Sequence, residues 1–252
     1  MTPDEPGGSV DGVTANLRAA IDEQEAAKPF LRAQMTGKDI TLNLLQVLKD
    51  ERGVRVENAY GAIGSLAGAS VALSMFEALS KENLKIEAPE VLIVSLKNGE
   101  NLLMGNYVNR KLAEGENIGE ISVSLWGLVA GMAGELGHKP GFDLLEIFSR
   151  SSGAIGKETK PEIPVPPDHR PSASPEEYAL LLLPHFLPIL KRYLLNHQQY
   201  HLACAFSAQE LMQQSVDHLS PDMAAQIIME YAVAAAKLDL RAISAISSKA
   251  ST

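Results

Sequence analysis

Three side chains in the C-terminal third of the chain have the types and the spacing of metal ligands. His197, His201 and Cys204 stand at i, i+4 and i+7, so one continuous helix would place all three on the same face. Imidazole nitrogen and thiolate sulfur are ligands that zinc prefers. However, residues 196–199 favour a break between helices, and Cys204 has apolar neighbours. We therefore interpret Cys204 as a buried thiol and expect neither a metal nor another cofactor.

A second group of side chains could support acid–base chemistry. Glu135 and His138 flank the end of one predicted helix, and Asp143 opens the next. A carboxylate beside an imidazole can transfer protons near neutral pH. Trp126, the single tryptophan, lies on the first of these helices and could line a pocket with them. Residues 137–141 also have the composition of a plain helix connection, which is the interpretation we favour, so enzymatic activity stays open.

Six glycines lie at helical spacing, three in each of two apolar segments, so each set of three lies on one face of a predicted helix. The two stripes are Gly61, Gly64 and Gly68 in the first segment, and Gly127, Gly131 and Gly134 in the second. Glycine within a helix costs roughly 1 kcal/mol relative to alanine, and close approach of two helix backbones is the compensating gain that we expect. The stripes could pack together within one chain, or one stripe could face a symmetry mate. We expect a homodimer.

The periodicity of apolar residues predicts the helices that would position these side chains. Proline lacks a backbone donor and clashes with the preceding turn, so Pro29 is expected to interrupt or end the first helix. Pro184 and Pro188 are expected to kink or break a later helix. The predicted helices cover residues 14–34, 40–49, 56–80, 122–136, 142–150, 180–195, 200–218 and 222–238.

One strand element and one strong helix start complete the prediction. Asn98-Gly99 separates β-rich runs at 91–96 and 101–104, which predicts an antiparallel hairpin because both turn residues tolerate positive φ. Residues 174–177 (Ser-Pro-Glu-Glu) have the pattern of a capping box. We predict a mainly α fold of the α+β type, a multi-helix domain with glycine-striped central helices and a small antiparallel β-hairpin. We expect a disordered tail (1–12), a single compact domain (13–240) and a frayed tail (241–252). Within the domain, helices and the hairpin (13–150) come first, followed by a proline-rich strap (151–173) and the C-terminal helices (174–240).

Composition and charge argue against several classes of function. The 252 residues carry a formal net charge of −9 without a cluster of Lys and Arg, so nucleic-acid binding is not expected. The single cysteine precludes an intramolecular disulfide, and residues 1–12 lack the pattern of a signal peptide. Residues 58–76 approach the length of a membrane span, but their glycines, serines and acidic flanks favour a buried helix. We expect a cytoplasmic protein without membrane contact.

Four segments in fixed order carry a resemblance to known proteins: AYGAIGSLAGASVAL, LKNGENLLMGNYVNRKLAE, SLWGLVAGMAGELG and VPPDHRP. Over residues 52–240 the chain resembles an uncharacterised family of bacterial cytosolic proteins of unknown function. The resemblance implies a bacterial cytosolic origin and identifies no catalytic residues.

The packing stripes and the lack of a catalytic motif favour one function over its alternative. We expect a non-catalytic, dimeric cytosolic protein that binds a protein partner or stabilises an assembly. The alternative is an enzyme or a small-molecule-binding protein with a pocket between helices near Trp126, Glu135 and His138. Active sites assembled from distant residues leave no local motif, which keeps this alternative open.

Overall fold

The apolar periodicity of the chain produces a mainly helical protein with a small antiparallel hairpin, which confirms the predicted fold class. The computed structural model describes residues 19–25, 27–80, 90–95, 97, 101–118, 121–152, 162–194 and 196–240. The predicted tails, the Asn98-Gly99 turn and the strap residues 153–161 lie outside these ranges. The helices are α1 (Leu31–Leu48), α2 (Val56–Ser80), α3 (Asn106–Asn109), α4 (Leu125–Glu135), α5 (Leu144–Ser152), α6 (Pro175–Tyr193), α7 (Tyr200–Gln214) and α8 (Pro221–Ala235). The strands are β1 (Leu92–Ser95), β2 (Asn101–Met104), β3 (Glu116–Ile118) and β4 (Ile121–Val123).

Helix α2 lies at the centre of the protein because its sequence carries no charge between Glu57 and Glu77. It packs against α6, α7 and α8. The hydroxyl groups of Ser65, Ser70 and Ser74 donate to carbonyl oxygens of the same helix, so burial leaves them satisfied. Among the described helices, α2 is the one that is long and apolar enough on its own to cross a membrane, and 89% of its apolar window is buried inside the protein.

The first glycine stripe lies against α8 and the strap. A Cβ atom on Gly64 would stand 2.5 Å from the carbonyl oxygen of Ile228, and one on Gly68 would overlap the carbonyl oxygen of Ala232. A Cβ atom on Gly61 would meet the Pro171 ring at 2.8 Å. Real Cβ atoms do not approach other atoms this closely, so the stripe permits α2 and α8 to pack backbone against backbone.

Helix α1 differs from the prediction. A single continuous helix covers the end of the first predicted helix (14–34) and nearly all of the second (40–49). Residues 19–25 are helical, Pro29 lies in the turn that follows, and α1 then runs without a break from Leu31. Gly37 does not end the helix. A Cβ atom there would stand 2.9 Å from the carbonyl oxygen of Ala203, so Gly37 allows α1 to approach α7 closely.

The capping box before α6 is confirmed, and of the two alternatives predicted at its prolines, a kink or a break, the break does not occur. The Ser174 hydroxyl accepts from the Glu177 amide at 3.2 Å, and the Ser174 amide donates to the Glu177 carboxylate at 2.7 Å. The helix then continues through Pro184 and Pro188 to Tyr193. Both prolines lie on the exposed face, where water can donate to the carbonyl oxygens that the missing proline N–H groups leave unpaired.

The hairpin matches the predicted one and is tied to the end of α8. Strands β1 and β2 are antiparallel, with Leu92 opposite Met104. The Leu103 amide donates to the Lys237 carbonyl oxygen at 2.9 Å, so β2 holds the residues that follow α8. A second hairpin, β3 with β4, was not predicted because its strands have three residues each, too few for an alternating pattern. One buried apolar cluster takes side chains from Ala33 through to Leu240.

Candidate functional site

The described part of the strap, residues 162–173, is fixed to the helical core by hydrogen bonds at its C-terminal end. The Ser172 amide donates to the Asn58 side chain of α2 at 2.8 Å, and the Tyr231 hydroxyl of α8 donates to the Ala173 carbonyl at 3.1 Å. Before these contacts the strap forms a short 3-10 turn at Pro167–His169, which begins on a proline with its φ fixed by the ring. An ordered strap therefore crosses the face of α8.

A cleft of about 420 Å³ lies between the strap and α8, with α5 and β2 completing its wall; we call it the strap cleft. Most of its surface is hydrocarbon, and charged groups occur at a few positions. Its apolar lining residues are Leu102, Ile147, Ile163, Pro171, Ala173, Pro175, Tyr231, Val233, Ala234 and Leu238. Its polar lining residues are Arg150, Glu162, Arg170, Ser172, Ser174, Glu176, Glu230 and Lys237.

Arg150 and Glu230 form an ion pair in the wall of the strap cleft. Nη1 of Arg150 lies 2.7 Å from Oε1 and 2.6 Å from Oε2 of Glu230, and the Glu230 side chain is only 4% exposed. Burial nevertheless raises the pKa of Glu230 above its ordinary value, because the loss of hydration outweighs the favourable effect of Arg150. One nitrogen of the guanidinium, Nη1, thus contacts both oxygens of Glu230, and Nη2 lies 3.7 Å from Oε1 of Glu146.

Lys237, at the same cleft, is a buried amine without a carboxylate partner. It is 6% exposed, and its Nζ donates one long hydrogen bond, 3.4 Å, to the carbonyl oxygen of Phe148 and lies 6.0 Å from the centre of the Phe148 ring. Throughout the described part of the chain, no carboxylate lies within ion-pair distance of Nζ. Burial lowers the pKa of Lys237 to about 8.

Lys237 also contributes to a second cleft, of about 340 Å³, on the side of β2 and α3. The other residues of that cleft include Met104, Val108, Leu145 and Phe148. Lys237 is thus the residue that the two clefts share. The one hydrogen-bond partner of Nζ, the Phe148 carbonyl oxygen, belongs to a residue of the second cleft, and the ammonium has two further donors.

The structure separates His197 from the other candidate metal ligands. His197 lies in a 3-10 turn ahead of α7, with Nδ1 2.5 Å from Oε2 of Glu77. His201 and Cys204 are buried, and burial lowers the pKa of His201 to about 3 and raises that of Cys204 to about 12. Both side chains are consequently neutral, and Nε2 of His201 has no hydrogen-bond partner among the described residues. In the ranges that the structure covers, no three His, Cys, Asp or Glu side chains form a group that could hold a metal ion.

The acid–base candidates lie apart from both clefts. Glu135 and His138 are exposed, and Asp143 accepts from the Leu145 amide at 2.9 Å, so it caps α5. Trp126 is half-buried, with its ring edge-on to a phenylalanine of the following loop. None of these side chains lines the strap cleft or the second cleft.

The second glycine stripe lies on the surface of the chain. Gly127, Gly131 and Gly134 are exposed. A Cβ atom on Gly131 or Gly134 would meet nothing within 4 Å, and one on Gly127 would meet only the Ser124 hydroxyl that caps α4. The two stripes therefore do not pack on each other.

Sequence reasoning missed Arg150, Glu230 and Lys237, which come from α5, α8 and the turn after α8. One signal was present. Between Asp222 and Asp239, Glu230 and Lys237 are the only charged residues, and both stand at positions where an apolar residue would continue the buried face. A charge at a buried position requires a partner or a function.

Comparison with known proteins adds no further constraint. No family model matches the chain, and neither the curated proteins nor the solved structures contain one that is significantly similar to it. The function is therefore inferred from the clefts and the residues that line them.

Proposed function

We propose that the protein binds a small, mainly apolar molecule in the strap cleft. The observation that carries this proposal is a cleft of about 420 Å³ with a hydrocarbon lining and a few buried charged groups. Ligand sites in proteins have this size and this combination of apolar surface with a small number of polar groups. The proposal replaces the location near Trp126 and keeps the small-molecule alternative.

The buried charges support a ligand site over a structural one. A wall of packed apolar side chains would fill the same space at lower cost, because burying a charge loses hydration. Arg150 and Glu230 carry opposite charges and satisfy each other, whereas Lys237 has no such partner among the described residues. The strap leaves the cleft open rather than filling it with side chains.

Filling the cleft should abolish binding of an apolar probe. Ala234 lines the strap cleft and is half-buried, so Ala234→Phe would place a ring in the space. We expect the wild type to enhance the fluorescence of the neutral probe N-phenyl-1-naphthylamine with saturable, one-to-one binding. Ala234→Phe should reduce that affinity at least about tenfold, since displacing the probe's buried surface costs more than about 1.4 kcal/mol.

Ala130→Phe provides the matched control. Ala130 is a half-buried alanine on α4 and lines neither cleft, so the same substitution there should leave probe binding unchanged. Equal probe affinity of Ala234→Phe and the wild type would contradict binding in the strap cleft. Circular dichroism of both variants would show that the helical fold is retained.

A second proposal is the dimeric, cytosolic, partner-binding protein, without a nucleic-acid or membrane partner. The exposed stripe of Gly127, Gly131 and Gly134 favours it, because side-chain-free helix surface permits close approach of a second helix. Closed two-fold association through one such patch is the commonest form of oligomer.

Light scattering across a dilution series tests the dimer. We expect a mass near twice 27.1 kDa that falls towards 27.1 kDa for Gly131→Leu, because a leucine side chain would hold two α4 helices apart. A mass of one chain at every concentration of the wild type would remove the dimer and leave the small-molecule proposal intact.

A further inference from the structure

The ammonium of Lys237 is a buried cation that has no anionic partner among the described residues. Its one hydrogen bond, to the Phe148 carbonyl oxygen, is 3.4 Å long. A buried ammonium keeps its charge at low cost only beside an anion or several strong acceptors. The described residues supply neither, although the side chain is 6% exposed.

The other cations of the strap cleft already have carboxylate partners. Arg150 donates to both oxygens of Glu230 at 2.6–2.7 Å, and Arg170 pairs with Glu162 at 2.9 Å. Glu176, the remaining charged residue in the lining, lies at the start of α6 and is itself engaged. A further anion entering the cleft would consequently find one uncompensated positive charge, that of Lys237.

We infer that the ligand of the strap cleft is an apolar monocarboxylate, such as a medium-chain aliphatic acid, whose carboxylate pairs with the Lys237 ammonium. This inference rests on the proposed small-molecule function and specifies its ligand. The hydrocarbon lining accepts the apolar body, and one carboxylate balances the one unpaired charge. A dianion would leave one charge unpaired in an apolar cleft, and a neutral molecule would leave Lys237 as it is.

Octanoate and 1-octanol distinguish the carboxylate from the apolar body, because they share the same chain length. Each compound displaces N-phenyl-1-naphthylamine from the wild type at pH 7. We expect octanoate to do so at a concentration at least about tenfold lower than 1-octanol, since a charge-assisted hydrogen bond in a desolvated site contributes about 1.4 kcal/mol or more. In Lys237→Met the preference for octanoate should disappear, whereas displacement by 1-octanol should be retained.

Two further variants make the result specific to the amine at this position. Lys237→Arg keeps a cation and should keep the preference for octanoate. Lys191→Met removes an exposed lysine of α6 that lines neither cleft, and should leave both displacement curves unchanged.

The outcomes separate this inference from the proposed function. Equal displacement by octanoate and 1-octanol in the wild type, or an octanoate preference that survives in Lys237→Met, would overturn the carboxylate inference and leave the cleft as an apolar site. Failure of both compounds to displace the probe, together with unaltered probe binding by Ala234→Phe, would overturn the proposed function as well.

Discussion

Gly68→Ala is expected to destabilise the protein by about 3 kcal/mol, whereas Gly131→Ala is expected to stabilise it by up to about 1 kcal/mol. Both residues lie inside helices, so both substitutions gain the same helix propensity. They differ in what the new methyl group meets. At Gly68 it would overlap the carbonyl oxygen of Ala232 and come within 2.8 Å of the Ala236 amide, whereas at Gly131 it meets nothing within 4 Å.

The collision at Gly68 is with backbone, which cannot rotate away as a side chain can. Helices α2 and α8 would have to separate along their whole contact, and this contact is the most extensive between any two described elements. Separation would open gaps around buried residues such as Ile228 and Ala232, and lost contacts add to the cost of overpacking.

Urea denaturation followed by circular dichroism measures both variants. The comparison belongs at a protein concentration at which light scattering gives the mass of one chain, so that association through α4 does not contribute. A Gly68→Ala variant as stable as the wild type would contradict the close approach of α2 and α8. A destabilised Gly131→Ala variant would contradict the open space around Gly131.

Local sequence signals predicted the elements whose formation depends on neighbouring residues. The bounds of α2 follow from an uncharged run between Glu57 and Glu77, and the first hairpin follows from β-rich runs on either side of Asn98-Gly99. The capping box at Ser174 likewise involves residues three positions apart. Each of these signals is complete within one short segment of chain, so sequence reasoning can evaluate it.

Tertiary contacts decided the elements that sequence reasoning placed wrongly. Gly37 lies in the gap between the predicted helices 14–34 and 40–49, but its close contact with α7 compensates for the low helix propensity of glycine, so α1 is continuous. Pro184 and Pro188 are tolerated within α6 because they face solvent. Sequence periodicity cannot reveal which helix face will be covered by a distant segment.

The candidate site could not be predicted from local sequence signals, because its residues come from segments that are far apart in the chain. Arg150 and Glu230 are 80 positions apart, and the strap that closes the cleft comes from a third segment. The residues chosen for their chemistry, Glu135 and His138, are only three positions apart in the sequence and lie on the exposed surface. Proximity along the chain was therefore a poor guide to the cleft, and charge at a buried helix position was the better signal.

Lys237→Met is expected to stabilise the ligand-free protein by about 3 kcal/mol at pH 7, although it removes the cation that the proposed ligand requires. Burial lowers the pKa of Lys237 from an ordinary value near 10.5 to about 8. Each pKa unit corresponds to about 1.4 kcal/mol of difference between the folded and unfolded proteins. Methionine has a similar shape and no charge to desolvate, so it avoids this cost.

The pH dependence of that difference identifies its cause. Below pH 8 the amine is protonated in both the folded and the unfolded wild type, so the full cost of burying the charge is present. Between pH 8 and pH 10.5 the folded protein releases its proton while the unfolded chain keeps one, so the stability of the wild type rises with pH. The advantage of Lys237→Met should therefore shrink across this interval and vanish above it.

Urea denaturation of the wild type and Lys237→Met at pH 7, 8, 9 and 10 measures the difference in their free energies of unfolding. The titration of all other groups contributes equally to both proteins and cancels in this difference. Lys191→Met, at an exposed position, should differ from the wild type by less than about 0.5 kcal/mol throughout. A Lys237→Met variant less stable than the wild type at pH 7 would mean that the ammonium has an anionic partner in the folded chain. In that case a ligand carboxylate would have no unpaired charge to meet. A stability advantage of Lys237→Met that decreases as the amine loses its proton would show that the wild type keeps an unpaired, destabilising charge in the cleft. A site that binds a carboxylate requires such a charge.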